Sequence, residues 1–169
     1  HHPKAGLEGM RTARSIALLS YRNPETYRFK QEEAHNEKLD DFNAASYQQY
    51  KGTKLAQRFN AFSYWYLSKA MDTHNVGRNR ESVKAALQKV KAKTLVIGIQ
   101  SDILFPIQDQ AFLAQNIPDS DIVGIDSKYG HDGFLLETEQ LADILGTRLD
   151  LKTSQSFPVK SDFDQTQVT

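Results

Sequence analysis

Two short apolar runs separated by a helical stretch dominate the segment from Lys93 to Leu136. The first run, Thr94 to Ile99, is β-branched and uninterrupted, as expected of a strand that is buried on both faces. The second run is shorter, Ile122 to Ile125, and Gln108 to Asn116 between them has helical composition. Strands joined through a helix form a parallel pair with a right-handed crossover. The segment therefore predicts an α/β fold built on a parallel sheet.

An acid and a histidine follow the two predicted strands. Asp102 comes just after the first run, and His131 comes just after the second. In an open parallel sheet, functional side chains collect at the carboxyl ends of the strands. We therefore expect the acid to orient the imidazole as a general base. The alternative is that Asp102 caps a turn and that His131 is an ordinary surface residue.

The motifs around these two residues favour the first interpretation. SDILFP, which contains Asp102, followed by GHDGFL, which contains His131, resembles the homoserine O-acetyltransferase family. That family is a branch of the α/β-hydrolase fold, in which the acid precedes the histidine along the chain. The resemblance implies a Ser-Asp-His triad with Asp102 as the acid and His131 as the base. It also implies that Asp132, the next residue, holds the amino-acid substrate.

A second correspondence lies near the start of the sequence. Apolar residues from Leu7 to Leu19 keep helical spacing, and the family carries a similar GL…AR…Y segment in which the Arg contacts the substrate. Arg14 and Tyr21 match that pattern. The resemblance therefore implies that Arg14 binds the substrate carboxylate, which suits the planar fork of a guanidinium. The alternative is an ordinary solvated arginine on a helix.

The serine of such a triad is not evident in this sequence. None of its serines has the flanking glycines of the G-x-S-x-G elbow that carries the nucleophile in this fold. The nucleophile comes first in chain order, so we expect it upstream of residue 1. The chain is accordingly predicted to be the C-terminal part of a longer protein.

The sequence predicts three segments. Residues 1–90 are expected to form a helical cap or lid, residues 91–150 the C-terminal part of an α/β-hydrolase core, and residues 151–169 a flexible tail. Within the cap, helices are expected at 41–50 and 53–71, broken near Gly52. The family's cap also forms much of its dimer contact, so the resemblance implies a homodimer through the cap helices.

Composition excludes several classes of function. The 21 basic and 21 acidic residues balance, so no excess of positive charge indicates a nucleic acid or an anionic membrane surface as partner. The sequence has no cysteine, which excludes disulfides, thiolate metal sites and a cysteine nucleophile. Its apolar runs are far shorter than a membrane span. We expect a soluble cytoplasmic protein without a metal site.

The resemblance also implies a reaction. An acetyl group would pass from acetyl-CoA to the hydroxyl of L-homoserine, a step of methionine biosynthesis, through a covalent serine ester and therefore with ping-pong kinetics. Acetyl-CoA is a substrate here, and no metal or redox cofactor is required. Four alternatives stay open: a succinyl donor, a serine acceptor, a plain α/β-hydrolase esterase, and an inactive fragment that serves as an interaction module.

Overall fold

The two predicted strands pair in parallel in a computed structural model, which describes residues 2, 4–35 and 37–148. Strand β1 spans Thr94–Ile99, as predicted, and strand β2 spans Ser120–Ile125, two residues longer at its start than predicted. The extra residues are polar, but they join the ladder through their backbone, where Thr94 pairs with Ser120. The register runs without interruption to Ile99 opposite Ile125, so both strands end at the same edge.

Helices precede, connect and follow this pair of strands. In chain order they are α1 (Leu7–Tyr21), α2 (Pro24–Gln31), α3 (Asn43–Arg58), α4 (Ala61–Asp72), α5 (Val83–Leu87), α6 (Ile107–Asn116) and α7 (Gly133–Leu136). Helix α6 connects the strands and packs closely on β1. A Cβ added at Gly98 would meet the Cδ1 atom of Ile107, so glycine allows the helix to lie close to the strand without a shift of that side chain.

Buried apolar side chains lie in both the helical and the strand part of this unit. In the described residues they are Met10 and Leu18 of α1, Val96 and Ile99 of β1, and Ile125 of β2. Strand β1 is therefore the more buried of the two strands, which agrees with its uninterrupted apolar sequence. The two β residues nearest the carboxyl edge, Ile99 and Ile125, anchor the loops that carry the acid and the histidine.

The predicted helix break near Gly52 is wrong. Helix α3 continues through Gly52 to Arg58, and the break comes at Asn60, whose side chain accepts a hydrogen bond from the Ser63 N–H. Gly52 is buried against α1, where an added Cβ would lie 2.7 Å from the carbonyl oxygen of Arg11. The Ser15 hydroxyl at the same crossing donates to the carbonyl of Gln48 at 2.9 Å. This glycine therefore permits a close contact between two helices rather than a turn.

A second compact unit begins at Thr138. The structure describes one helix of it, α8, which spans Thr138–Arg148. The flexible tail predicted for residues 151–169 lies outside the described residues. None of the helices in the described ranges has both the length and the apolar character needed to cross a membrane.

Candidate active site

Asp102 is buried and held rigidly at the carboxyl end of β1. Its backbone N–H donates to the carbonyl of Ile99 at 3.2 Å. Its Oδ1 atom accepts hydrogen bonds from the backbone N–H groups of Leu104 at 2.8 Å and Phe105 at 2.9 Å. Only 7% of the residue is exposed. Oδ1 thus accepts the hydrogen bonds of the turn, and Oδ2 can contact another residue.

That second oxygen meets His131. The Nδ1 atom of His131 lies 2.8 Å from Oδ2 of Asp102, and the imidazole belongs to a 3-10 turn, Gly130–Asp132, that follows β2. An ionised carboxylate can only accept, so Nδ1 carries the hydrogen in this contact. The Nε2 atom of the neutral ring then has the lone pair that a general base needs. The structure therefore brings the predicted acid and the predicted base together.

Three aromatic rings surround the imidazole. The ring centroids of Phe105 and Phe134 each lie 5.2 Å from that of His131, and the centroid of Tyr21 lies 5.7 Å away. Such contacts restrict rotation of the imidazole and reduce its access to water. The residues come from three different elements, so the orientation of His131 depends on the loop after β1, on α7 and on the end of α1.

The histidine turn packs tightly against the junction between α1 and α2. Gly130 has a φ of +64°, a conformation that favours glycine, and an added Cβ would lie 2.9 Å from the backbone nitrogen of Asn23. The Thr26 hydroxyl donates to the carbonyl of Lys128 in the same loop. The first glycine of the GHDG motif is therefore required by a left-handed turn that is also too crowded for a side chain.

Arg14 and Asp132 contact different groups in the structure. The guanidinium carbon of Arg14 lies 5.1 Å from the ring centroid of Tyr21, and that ring in turn contacts His131. Asp132 instead pairs with Arg22, whose Nε atom lies 3.5 Å from Oδ2 of the aspartate. Arg14 is thus one aromatic ring away from the imidazole, and its predicted role in binding substrate stays a prediction.

Arg22 is not among the site residues predicted from the sequence. It directly follows the matched Tyr21 at the end of α1, and no motif marks it. Arg22 lies just beyond the last helical residue in extended backbone, so helical spacing gives no signal for it. Its side chain is largely buried and therefore requires a partner, which is Asp132.

Tyr47 of α3 contacts the Arg22 side chain of this ion pair and also the nearby Lys51. Its ring centroid lies 5.5 Å from the guanidinium carbon of Arg22 and 5.2 Å from Nζ of Lys51. Burial raises the pKa of the Tyr47 phenol above its usual value, and the positive charge of Arg22 opposes that shift. Burial also lowers the pKa of the Lys51 ammonium, and the charge of Arg22 lowers it further. Tyr47 therefore stays a neutral phenol at working pH.

No metal centre is evident among the residues that the structure describes, since no three His, Cys, Asp or Glu side chains converge there. The arrangement around His131 can do acid–base chemistry with its own side chains. It holds an imidazole against a buried carboxylate and places a second carboxylate, Asp132, at the next position in the chain.

Curated proteins similar to this chain are homoserine O-acetyltransferases. The one from Cyclobacterium marinum is 50% identical over 143 residues, which cover 85% of this chain and 40% of that protein. The one from Clavibacter michiganensis is 43% identical over 152 residues, which cover 84% of this chain and 39% of that protein. The chain thus spans about two fifths of the length of these relatives. No family model matches the chain.

Solved structures similar to this chain have the α/β-hydrolase fold. The homoserine O-acetyltransferase from Staphylococcus aureus is 28% identical, with a TM-score of 0.67 over 90% of this chain and 44% of that one. The one from Bacillus anthracis has a TM-score of 0.77 at 18% identity, covering 89% and 43% of the two chains. Esterase E22 has a TM-score of 0.76 at 18% identity, covering 88% and 44%. The last two establish the fold alone, and they confirm the predicted fold class.

Proposed function

We propose that this chain belongs to the homoserine O-acetyltransferase family and that it supplies the acid and the base of a serine triad that transfers acetyl groups. The observation that carries the proposal is the contact of 2.8 Å between Nδ1 of His131 and the buried Asp102. The nucleophilic serine would come from residues of the protein outside this chain. In each half of the reaction a proton must be removed from the attacking hydroxyl and delivered to the leaving group, and His131 performs both transfers.

In the first half-reaction, the serine oxygen attacks the carbonyl carbon of acetyl-CoA while Nε2 of His131 accepts the serine proton. The C–S bond breaks, the imidazolium returns the proton to the departing thiolate, and CoA leaves. In the second half, the hydroxyl of L-homoserine attacks the acetyl-serine while Nε2 of His131 accepts its proton. The bond between the acetyl carbon and the serine oxygen breaks, and the imidazolium returns the proton to that oxygen. The products are CoA and O-acetyl-L-homoserine, an intermediate of methionine biosynthesis. Asp102 stabilises the imidazolium in both halves.

The acceptor is an amino acid, so its two charged groups need opposite partners. We propose that Arg14 binds the carboxylate and that Asp132 binds the ammonium group. Arg14 lies against the Tyr21 ring, which contacts the imidazole of His131, and Asp132 adjoins His131 in sequence. An amino acid held between these two residues would bring its hydroxyl group towards the base. The proposal includes a cytoplasmic location, with which a chain free of cysteine is compatible.

The test of this function uses the full-length protein that contains this chain. We expect CoA release from acetyl-CoA to depend on L-homoserine, with parallel double-reciprocal lines when both substrates are varied. Succinyl-CoA as donor and L-serine as acceptor are the matched comparisons, and both should have a much lower kcat/KM. Efficient hydrolysis of a simple ester combined with no transfer to homoserine would contradict the proposal and favour an esterase.

We further propose that residues 1–90 form the cap and that helix α4 contacts a second copy of the protein. The helix exposes five large apolar side chains, which are Phe62, Trp65, Tyr66, Leu67 and Met71. Exposed patches of this kind mark contact surfaces. A groove lined by Phe59, Phe62, Tyr66 and Leu67 lies on the same surface and offers space for side chains of the partner.

Replacing Trp65 with glutamate should convert a dimer into a monomer, because a charge would be buried at the contact without a partner. Light scattering coupled to size exclusion measures the mass of the full-length protein directly. Leu39→Glu is the matched control, since Leu39 is 92% exposed and lies outside α4. A wild-type monomer would contradict the dimer, and a Trp65→Glu dimer would contradict the assignment of the contact to α4.

A further inference from the structure

We propose that Arg22 is a positioning residue that fixes the carboxylate of Asp132 for the ammonium group of the acceptor. The inference rests on the proposed function, and it adds a residue that the GL…AR…Y and GHDGFL motifs do not contain. It assigns different tasks to Arg14, in the middle of α1, and to Arg22, which directly follows α1. Arg14 faces the substrate carboxylate, whereas Arg22 acts through Asp132.

The first support is the partial burial of the ion pair. The side chains of Arg22 and Asp132 are 12% and 27% exposed, and the Nε–Oδ2 distance is 3.5 Å. A pair within α1, Arg11 with Glu8, is closer at 2.8 Å, but its side chains are 41% and 82% exposed. Water screens the exposed pair, whereas loss of one partner of a pair that is largely shielded from water leaves a poorly compensated charge. Arg22 is therefore the arginine whose loss would disturb its carboxylate.

The second support is that both partners are anchored. The guanidinium of Arg22 lies 5.5 Å from the Tyr47 ring centroid on α3, which limits its rotation. The backbone of Arg22 also contacts the histidine turn, since a Cβ at Gly130 would lie 3.1 Å from its carbonyl carbon. Arg22 and Asp132 thus belong to two segments that are packed against each other. Their separation is set by the fold rather than by flexible side chains.

The third support is that the ion pair leaves Asp132 able to accept hydrogen bonds. The Nε atom of Arg22 is buried and makes no hydrogen bond within the described structure. At 3.5 Å from Oδ2 it attracts the carboxylate without occupying a lone pair through a short bond. An ionised carboxylate has about four acceptor positions, and an ammonium group has three donors to offer. Arg22 therefore orients Asp132 while leaving it free to bind a cationic ligand.

The test compares Arg22→Met and Arg22→Lys in the full-length protein. Methionine keeps the length and apolar stem of the side chain but removes its charge, and lysine restores the charge without the planar fork. We expect Arg22→Met to raise KM for L-homoserine about tenfold or more, and Arg22→Lys to recover part of that loss. The burst of CoA release without acceptor, which reports the first half-reaction, should stay within about twofold.

Arg11→Met is the matched control, because Arg11 lies in α1, the helix that Arg22 follows, and its ion pair is exposed. It should leave both half-reactions unchanged. A double-mutant cycle with Asp132→Asn separates a positioning role from a general packing role. If Arg22 acts through Asp132, adding Arg22→Met to Asp132→Asn should change KM for the acceptor little further. Additive effects would overturn the inference, as would loss of folding in both Arg22 variants.

The remaining outcomes are distinguishable. If Asp132→Asn raises KM for the acceptor and Arg22→Met does not, the positioning role is wrong and the proposed function stands. If neither variant changes KM, Asp132 does not bind the acceptor, and the positioning role is again wrong, although transfer itself is unaffected. If the wild-type protein transfers no acetyl group to homoserine, the proposed function fails and the inference fails with it.

Discussion

Replacing His131 with glutamine in the full-length protein is expected to lower kcat for acetyl transfer by roughly four orders of magnitude. The reason is that both half-reactions need a base at Nε2, and a glutamine amide cannot accept a proton at neutral pH. Its NH2 group can still donate to Asp102, so the buried carboxylate keeps a partner and the fold should persist. Steady-state rates and the burst of CoA release measure the two half-reactions separately.

His74→Gln is the matched control for this experiment. His74 is exposed in the turn after α4 and makes a backbone hydrogen bond to Met71, which the substitution preserves. It should leave kcat unchanged. A His131→Gln protein that is folded and keeps more than about a tenth of wild-type activity would remove His131 from the role of base.

The second large effect is expected from Asp102→Asn, with a loss in kcat of roughly three to four orders of magnitude. The surroundings of this residue determine how asparagine would be oriented. The N–H groups of Leu104 and Phe105 require an acceptor at the Oδ1 position, so the amide oxygen would occupy it. The NH2 group would then face Nδ1 of His131 and select the wrong tautomer of the imidazole.

This substitution separates the two interpretations of Asp102. Asparagine caps the turn as well as aspartate does, so a residue that serves only the turn would tolerate it. A triad acid would not, because the carboxylate must stabilise a positively charged imidazole. Rates are measured on protein whose unfolding midpoint matches the wild type, with Asp119→Asn, at an exposed position, as the control. A loss smaller than tenfold would support the turn-capping interpretation.

The strand–helix–strand unit was predictable because its signals are local. The apolar run of β1 and the chain order of Asp102 and His131 depend on residues close together in sequence, and they place both side chains at one sheet edge. The motif SDILFP also contains its own turn, since Asp102 accepts hydrogen bonds from the two residues after Ile103. Propensity and tertiary structure agree there, so the sequence was sufficient.

The errors arose where tertiary contacts outweigh local preference. Glycine has a low helix propensity, so Gly52 predicts a break in a helix. It lies inside α3 nevertheless, because α1 passes so close at this position that a side chain would not fit. Arg22 carries no motif, and its partner Asp132 is more than a hundred positions away in sequence. No pattern within a short window could connect them. The contact between Asp102 and His131 was therefore predictable from the sequence, whereas the charged residues around it were not.

The uninterrupted parallel register of β1 and β2 has a consequence for how this region can vary in length. The loop with Asp102 and the loop with His131 follow Ile99 and Ile125, and the pairing of these two residues sets the distance between the loops. The length of the connection through α6 does not set that distance. Residues inserted at a solvent-facing turn of the crossover would extend a surface loop at little entropic cost and leave both strand ends in place. Deleting one residue within either strand would instead reverse which side chains face the core and separate the two loops.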